Sequence, residues 1–293
     1  MQTTQTFAVI GGDLRQIHLA GLLAAEGRQV LAVGFDRDVE IPPKVQPLRS
    51  VADAVVRADC VVLPLPYSVN GQTVNAPFAR AALPLSEVWD SAREGQLITG
   101  GKLDAAAREA ARTRRFRAVD YYEREELAIL NGIPTAEGAI QIAMEELPVT
   151  IHGAHCLVLG YGRVGKYLSH DLKALGADVT VCARSHADLA WVCAMGGRGI
   201  HIASLAEHLG EFDAVFNTVP AMLLTEELLT RLRGDCLVID LASKPGGVDF
   251  DTAGRLGVKV IWALSLPGKV APLTSGAIIC DTVLHIVGEE ETP

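Results

Sequence analysis

Short apolar runs rich in β-branched residues alternate with amphipathic stretches rich in Ala and Leu along the whole chain. This alternation predicts parallel strands joined by helices that cover both faces of a sheet. A first series extends from "FAVIGG" at 7–12 to "FRAVDYY" at 116–122, and a second from "HCLVLGYG" at 155–162 to "KVIWALS" at 259–265. We therefore expect an α/β protein with two Rossmann-like domains, each a doubly wound parallel sheet, separated by a cleft.

Long helical patterns link the two series and close the chain. The pattern at 123–147 is interrupted at 132–134, where proline predicts two crossing helices joined by a short irregular connection at the cleft. The last segment, 274–291, has helical spacing and is expected to pack back on the first domain. These boundaries predict a substrate or catalytic domain at 1–148, a dinucleotide-binding domain at 149–273 and a returning helix at 274–293.

Composition supports two ordinary globular domains, since 49% of the 293 residues are hydrophobic and 21% are charged. A net charge of −9, with one short basic run at 112–117, argues against a nucleic-acid partner. The amino terminus lacks a signal-peptide pattern, and no apolar run approaches the length of a membrane span, so we expect a cytoplasmic protein. The six cysteines form no C-x-x-C pair and indicate reduced core residues, with no metal site.

A dinucleotide-binding fingerprint, G-x-G-x-x-G, lies between a strand pattern and the helix pattern "RVGKYLSHDLKALG" at 163–176. In that context Gly160 permits a tight turn, Gly162 admits the pyrophosphate, and Gly165 allows close packing of helix on strand. Six residues are expected to contact the dinucleotide here: Gly160, Tyr161, Gly162, Arg163, Val164 and Gly165.

The end of the second strand of this domain indicates which dinucleotide binds. An NAD site usually has Asp or Glu there, whereas this chain has Ala183, Arg184 and Ser185. Arg184 can form charge-assisted bonds to a 2′-phosphate, and Ser185 can donate its hydroxyl. The sequence therefore favours NADP over NAD. The alternative is that Arg184 is only a solvated residue at the strand end.

Two further strand ends, "NTVP" at 217–220 and "DLASKPGG" at 240–247, are expected to face the nicotinamide half of the cofactor. Ordinary strand-to-helix turns have a similar composition, so this alternative stays open. The contacts predicted from these segments are Thr218, Val219, Pro220, Asp240 and Ser243.

Substrate-binding candidates occur mainly in the first domain. Asp13, Arg15 and Gln16 open a helix, where amides and a guanidinium favour a carboxylate; the alternative is Asp13 as a simple N-cap with Arg15 in solvent. Tyr67 and Ser68 follow the strand "CVVLPLP" at 60–66. Further candidates lie at the expected interdomain connection and in the loop "SLPGKVAPLTSG" at 265–276, whose Thr274 and Ser275 mark a helix start: Thr135, Glu137, Lys269, Thr274 and Ser275.

Five segments together resemble the family of dipicolinate synthase A subunits: "GGDLRQ", "NGIPTAEGAIQIAMEE", "GYGRVGK", "IDLASKPGGVDF" and "ALSLPGKVAPLTSG". The resemblance extends over about residues 7–285 and implies an architecture related to D-2-hydroxyacid dehydrogenases and S-adenosylhomocysteine hydrolase. It also implies oxidation of a dihydrodipicolinate-type cyclic dicarboxylate to dipicolinate, together with a flavoprotein-like B subunit. The resemblance places the protein in the mother cell of a sporulating bacterium.

A dicarboxylate substrate calls for two anchors, for which Arg15 and Lys269 are the candidates, although a surface lysine in a turn is the alternative for Lys269. Glu137 is the first candidate for the base, with Tyr67 and Ser68 as hydroxyl donors. A D-2-hydroxyacid dehydrogenase would need a histidine in the loop 263–276, which has none, and His285 lies deep in the last helical pattern. A non-catalytic NADP-binding protein stays open as an alternative, and a homo-oligomer is expected.

Overall fold

The computed structural model describes residues 5–291, which divide into two compact units. Unit 1 contains the residues up to Leu130 and those from Ala271 onward, and unit 2 contains Asn131–Val270. Each unit has one sheet of six parallel strands. None of the helices within residues 5–291 combines the length and the apolar character needed to cross a membrane. The expected fold class, two doubly wound α/β sheets, is confirmed.

The sheet of unit 1 has the strand order β3-β2-β1-β4-β5-β6. Its order reverses between β1 and β4, which is the switch point of a doubly wound sheet. Nearly every residue of β1 and β4 is buried, as expected for central strands with helices on both faces. The strands are β1 Thr6–Ile10, β2 Gln29–Val33, β3 Val45–Leu48, β4 Cys60–Val62, β5 Leu97–Gly100 and β6 Arg117–Asp120.

Helices on the two faces of this sheet bury two separate apolar clusters. One cluster joins Phe7 and Leu23 to Ile279, and the other joins Ile10 and Leu63 to Val88. Asp13, Ser50 and Asp104 each cap a helix by accepting from a backbone amide of its first turn. The helices before the second unit are α1 Leu14–Ala25, α2 Val51–Arg57, α3 Leu85–Ser91, α4 Ala105–Arg114 and α5 Glu125–Leu130.

Unit 2 repeats this architecture with the strand order β12-β11-β10-β7-β8-β9. Its strands are β7 His155–Leu159, β8 Asp178–Ala183, β9 Arg198–His201, β10 Ala214–Asn217, β11 Leu237–Asp240 and β12 Lys259–Trp262. Its helices are α6 Gly132–Glu146, α7 Arg163–Ala174, α8 His186–Ala194, α9 Leu205–His208, α10 Glu226–Leu229, α11 Phe250–Leu256 and α12 Leu266–Val270. The order reverses between β7 and β10, so a ligand-binding crevice is expected at the carboxyl ends of these two strands.

The last helix, α13 Pro272–Glu291, packs along α1 in unit 1. The two backbones approach closely, because a Cβ added at Gly276 would lie 2.6 Å from the carbonyl oxygen of Arg15. Ile279 and Val283 of α13 belong to the same apolar cluster as α1. The helix starts at Pro272, two positions before the predicted Thr274, because proline fits the first turn of a helix, where amides have no helical partner.

The predicted irregular connection at 132–134 is wrong. The helical pattern breaks at Asn131 alone, and Gly132 and Pro134 lie in the first turn of α6. Proline is tolerated there for the same reason as in α13. Helix α6 packs on α7 and α12, and a Cβ at Gly138 would lie 3.1 Å from the Leu266 Cβ. The whole helix therefore belongs to unit 2, and the division of the chain falls before α6 instead of at residue 148.

Candidate cofactor and substrate sites

The turn after β7 has the geometry of a dinucleotide-binding turn. Gly160 has φ +95°, and a Cβ added at Gly165 would lie 2.2 Å from the Gly160 carbonyl oxygen, so both positions require glycine for the turn itself. Gly162 is the N-cap of α7, makes no side-chain cap, and would meet no atom within 4 Å if it had a Cβ. The space at Gly162 and the amino end of α7 thus suit a pyrophosphate.

The other predicted residues of this turn lie around the same helix start. Tyr161 is half-buried, and the ammonium of Lys166 lies 5.6 Å from the centre of its ring. Arg163 is exposed in the first position of α7, followed by the half-buried Val164. Their contacts with a cofactor stay predictions.

Arg184 and Ser185 follow β8 and are exposed to solvent. Ser185 caps α8, since its hydroxyl oxygen accepts from the Asp188 amide at 3.3 Å and its proton stays available for donation. Among the described residues no carboxylate lies within ion-pair distance of the Arg184 guanidinium. Ala183, by contrast, is buried at the end of the strand, so only its backbone faces this region.

Asp240, expected to contact the cofactor, is hydrogen-bonded within the chain. It is completely buried, and its Oδ1 accepts from Asn217 Nδ2 at 2.8 Å and from the Ala242 amide at 3.0 Å. Its Oδ2 accepts from the Gly247 amide at 2.8 Å. Three donors hold the carboxylate, which therefore shapes the loop after β11, and its contact with the cofactor stays a prediction.

Asn217 shapes the neighbouring loop from the same network. Its Oδ1 accepts from the Val219 amide at 3.1 Å, and its Nδ2 also donates to the Val219 carbonyl at 3.1 Å. Thr218 is tied to the dinucleotide turn, because its hydroxyl donates to the Leu159 carbonyl at 2.8 Å. Pro220 and Ser243 take no part in these bonds, are exposed to solvent, and stay candidates for cofactor contact.

In unit 1 the start of α1 contains an ion pair between the buried Arg15 and the partly exposed Asp13. The Arg15 guanidinium donates to Asp13 through Nε at 2.9 Å and through Nη2 at 2.8 Å, and Nη2 also donates to the Leu65 carbonyl at 2.6 Å. Arg15 is only 7% exposed. The alternative with Arg15 in solvent is therefore wrong, but Asp13 already balances its charge, and Nη1 is the donor that these bonds leave over.

Gln16 is the unusual residue of this region. It is completely buried, and neither its amide nitrogen nor its amide oxygen makes a hydrogen bond of good geometry, although the amide interacts with the Tyr121 hydroxyl. Its amide lies beside the Tyr121 hydroxyl, which donates to the Leu63 carbonyl at 2.9 Å and whose pKa burial raises far above the ordinary value. A buried amide without partners is costly, and a bound polar ligand or ordered water would relieve that cost.

The two hydroxyl candidates after β4 are occupied by local structure. Tyr67 is 3% exposed and belongs to the core. Burial raises the pKa of its hydroxyl, and the Asp104 carboxylate raises it further. Ser68 donates to the Thr73 carbonyl at 2.6 Å and accepts from the Gly71 amide at 2.9 Å. The bonds of Ser68 close a polar turn, and the catalytic roles of Tyr67 and Ser68 stay predictions.

The remaining candidates are divided between the two units. Thr135 donates to the Asn131 carbonyl at 2.6 Å inside α6, on which Glu137 is exposed. Lys269 is exposed on the short helix α12, not in the predicted loop. Thr274 is exposed, whereas Ser275 is buried in the first turn of α13. Sequence reasoning missed Tyr121 and His201, which carry signals only as polar residues at strand ends, whereas Asn217 lies in the predicted segment 217–220.

A parallel doubly wound sheet with this glycine turn is the fold of a dinucleotide-binding domain. Residues 134–235 match the family model of the D-isomer specific 2-hydroxyacid dehydrogenase NAD binding domain. Residues 6–122 match that of the N-terminal domain of the dipicolinate synthase A subunit. The chain is an NAD(P)-dependent oxidoreductase.

Similarity over the full length gives the family. The dipicolinate synthase A subunit of Bacillus subtilis (strain 168) is 34% identical over 297 residues, covering 99% of this chain and 98% of the relative. The crystal structure of the dipicolinate synthase A subunit from Bacillus halodurans has a TM-score of 0.91 at 33% identity, covering 98% of this chain and 99% of that one. The crystal structure of the Bacillus subtilis protein has a TM-score of 0.89 at 33% identity, covering 99% and 98%. The chain therefore belongs to the family of dipicolinate synthase A subunits, and a partner subunit follows from that membership.

Proposed function

We propose that this chain oxidises a dihydrodipicolinate-type cyclic dicarboxylate to dipicolinate, with NADP as hydride acceptor. The observation that carries the proposal is the similarity to a dipicolinate synthase A subunit over 99% of the chain. In the reaction the dihydro ring loses one hydride and one proton and becomes an aromatic pyridine ring. Because aromaticity favours the product, the protein has mainly to position the ring against the nicotinamide.

The start of α1 is the proposed site for one substrate carboxylate. The unpartnered Gln16 amide and the remaining Arg15 Nη1 donors offer hydrogen bonds to an anion at the amino end of a helix. The Asp13–Arg15 pair holds the guanidinium in a fixed orientation, so little side-chain entropy is lost on binding. Lys269 and Glu137, both exposed in unit 2, stay the sequence-based candidates for a second anion-binding residue and for the base.

The cofactor assignment follows from the residues around α7 and β8. When bound, the nicotinamide accepts the hydride. Gly162 leaves room for its pyrophosphate, and the Arg184 guanidinium is free to pair with a 2′-phosphate, with Ser185 as a further donor. A carboxylate at this position would repel that phosphate, and Ala183, Arg184 and Ser185 provide none. This arrangement supports NADP over NAD.

The proposed partner is a flavoprotein-like B subunit in the mother cell of a sporulating bacterium. The test of the whole proposal is absorbance at 340 nm when the purified chain, NADP and freshly generated dihydrodipicolinate-type substrate are mixed, with and without that partner. Reduction by this chain alone supports the assignment. Reduction only with the partner means that the two proteins share the site, and no reduction in either mixture contradicts the proposal.

Arg184→Ala tests the cofactor assignment separately. Loss of a charge-assisted bond predicts that the Kd for NADP rises about tenfold or more, while the Kd for NAD changes little. Arg231→Ala is the control, because Arg231 is an exposed arginine of the same unit in the segment after α10. Equal weakening of NAD and NADP by Arg184→Ala would contradict a 2′-phosphate contact.

A further inference from the structure

A histidine on the neighbouring strand supports the backbone that carries Arg184. In the sheet of unit 2, Ala183 at the end of β8 pairs with His201 at the end of β9. One residue further on, the His201 Nε2 lies 3.2 Å from the Arg184 carbonyl oxygen. The imidazole thus continues the strand pairing by one residue, at the position where the backbone ladder has ended.

Both nitrogens of this imidazole are used. His201 is the N-cap of the short 3-10 helix Ile202–Ser204, where its Nδ1 accepts from the Ala203 amide at 3.2 Å. Because Nδ1 accepts a hydrogen bond, the proton of the neutral ring is on Nε2, which donates to the Arg184 carbonyl. The His186 ring stacks on the His201 ring, with centroids 4.9 Å apart and planes 11° apart.

A fixed carbonyl fixes the peptide plane between Arg184 and Ser185, since the peptide bond is planar. Ser185 is in turn fixed as the N-cap of α8. The start of α8 and the imidazole therefore hold the two ends of one peptide unit, and the direction in which Arg184 leaves the strand end depends on both.

The geometry points to His201 as a positioning residue that orients Arg184 toward the 2′-phosphate of NADP, with His186 stacked behind it. The inference rests on the proposed NADP preference and adds a residue that determines cofactor specificity. It requires that His201 acts through Arg184 and not through general stability of unit 2.

His201→Asn and His201→Ala separate these roles. Asparagine is a favoured N-cap, so His201→Asn keeps an acceptor for the Ala203 amide but has no ring that reaches the Arg184 carbonyl or stacks on His186. His201→Ala removes the cap as well. Both substitutions are made in the natural chain and in the Arg184→Ala background, and the Kd values for NADP and NAD are measured by fluorescence titration, with unfolding in urea alongside.

In the natural background, we expect both substitutions to raise the Kd for NADP about threefold to tenfold, with less than a twofold change for NAD. In the Arg184→Ala background neither substitution should change the Kd for NADP further. His201→Asn should unfold at the same urea concentration as the natural chain. An unchanged ratio of the two Kd values in His201→Asn, or a loss that persists without Arg184, overturns the positioning role while leaving the NADP assignment intact. If the natural chain shows no preference for NADP, both the assignment and this inference fail.

Discussion

Gly165→Ala is the sharpest perturbation of the cofactor-binding turn. The added methyl group would lie 2.2 Å from the Gly160 carbonyl oxygen and 3.0 Å from its carbonyl carbon. Both are backbone atoms of the turn between β7 and α7, so no side-chain rotation relieves the contact. The helix has to move away from the strand, and the amides at its start then lose their position for a pyrophosphate.

Insertion of a methyl group into a tightly packed contact destabilises a protein by about 1 to 3 kcal/mol, and a rigid backbone neighbour favours the upper value. A loss of about 3 kcal/mol lowers the Tm of a domain of this size by roughly 10 °C. Gly162→Ala is the matched control, because its methyl group meets no atom within 4 Å and φ is −78°. Alanine is a poorer N-cap than glycine by less than about 1 kcal/mol, so this variant should stay folded.

The two variants should differ in Tm but lose affinity for NADP alike. Calorimetry is expected to show a lowered Tm for Gly165→Ala and a Tm near that of the natural chain for Gly162→Ala. Fluorescence titration should show that both lose more than about tenfold in affinity for NADP, since the methyl group of the second variant fills the space for the pyrophosphate. Normal NADP binding by Gly162→Ala would refute the placement of the pyrophosphate, and an unchanged Tm for Gly165→Ala would refute the packing argument.

Three further predictions concern buried polar groups. Gln16→Leu replaces an unpartnered amide by an apolar group of similar size, so urea unfolding should show equal or higher stability, by up to about 1 kcal/mol, and the KM for the dicarboxylate should rise about tenfold. In Asp240→Asn, an amide group that donates replaces the carboxylate oxygen that accepts from the Gly247 amide. Urea unfolding should therefore show a loss of about 1 to 3 kcal/mol in stability. Unchanged stability would count against the role of the Asp240 hydrogen bonds in holding the loop after β11. Burial raises the pKa of five cysteine thiols to about 12, so they stay protonated at pH 8: Cys60, Cys156, Cys182, Cys236 and Cys280. Iodoacetamide at pH 8 should therefore modify only the exposed Cys193, as measured by mass spectrometry. The substitution Cys193→Ser should abolish this modification.

The fold could be predicted from the sequence because its signals are local. Apolar runs such as 7–10 and 155–159 are buried strands of the two sheets, and the glycine spacing at 160–165 identifies the turn that follows β7. The break before α6 was misplaced for a local reason as well. Proline at 134 indicates a helix interruption in general, but it lies in the first turn, where its missing amide has no effect.

Side-chain roles were harder to predict, because they depend on partners distant in sequence. Tyr67 and Ser68 have the residue types of a site, yet one is a core residue beside Asp104 and the other closes a turn with Thr73. Asp240 looks like a strand-end ligand until Asn217, from another strand, is found beside it. Strand order, and not spacing, brings these residues together.

The hydrogen bonds that a buried polar side chain makes within the protein help to distinguish a structural from a functional role, both at strand ends and at helix starts. Asp240 and Gln16 are both completely buried, and both lie where an α/β sheet binds ligands. Asp240 has three protein donors, which use most of its acceptor sites. Gln16 makes no hydrogen bond of good geometry and only interacts with the Tyr121 hydroxyl, so a carboxylate that entered there would gain a hydrogen bond from its amide nitrogen at little cost. The bonds of Asp240 therefore favour a loop role, and the weakly bonded amide of Gln16 favours the proposed substrate role, a distinction that residue type and spacing do not make.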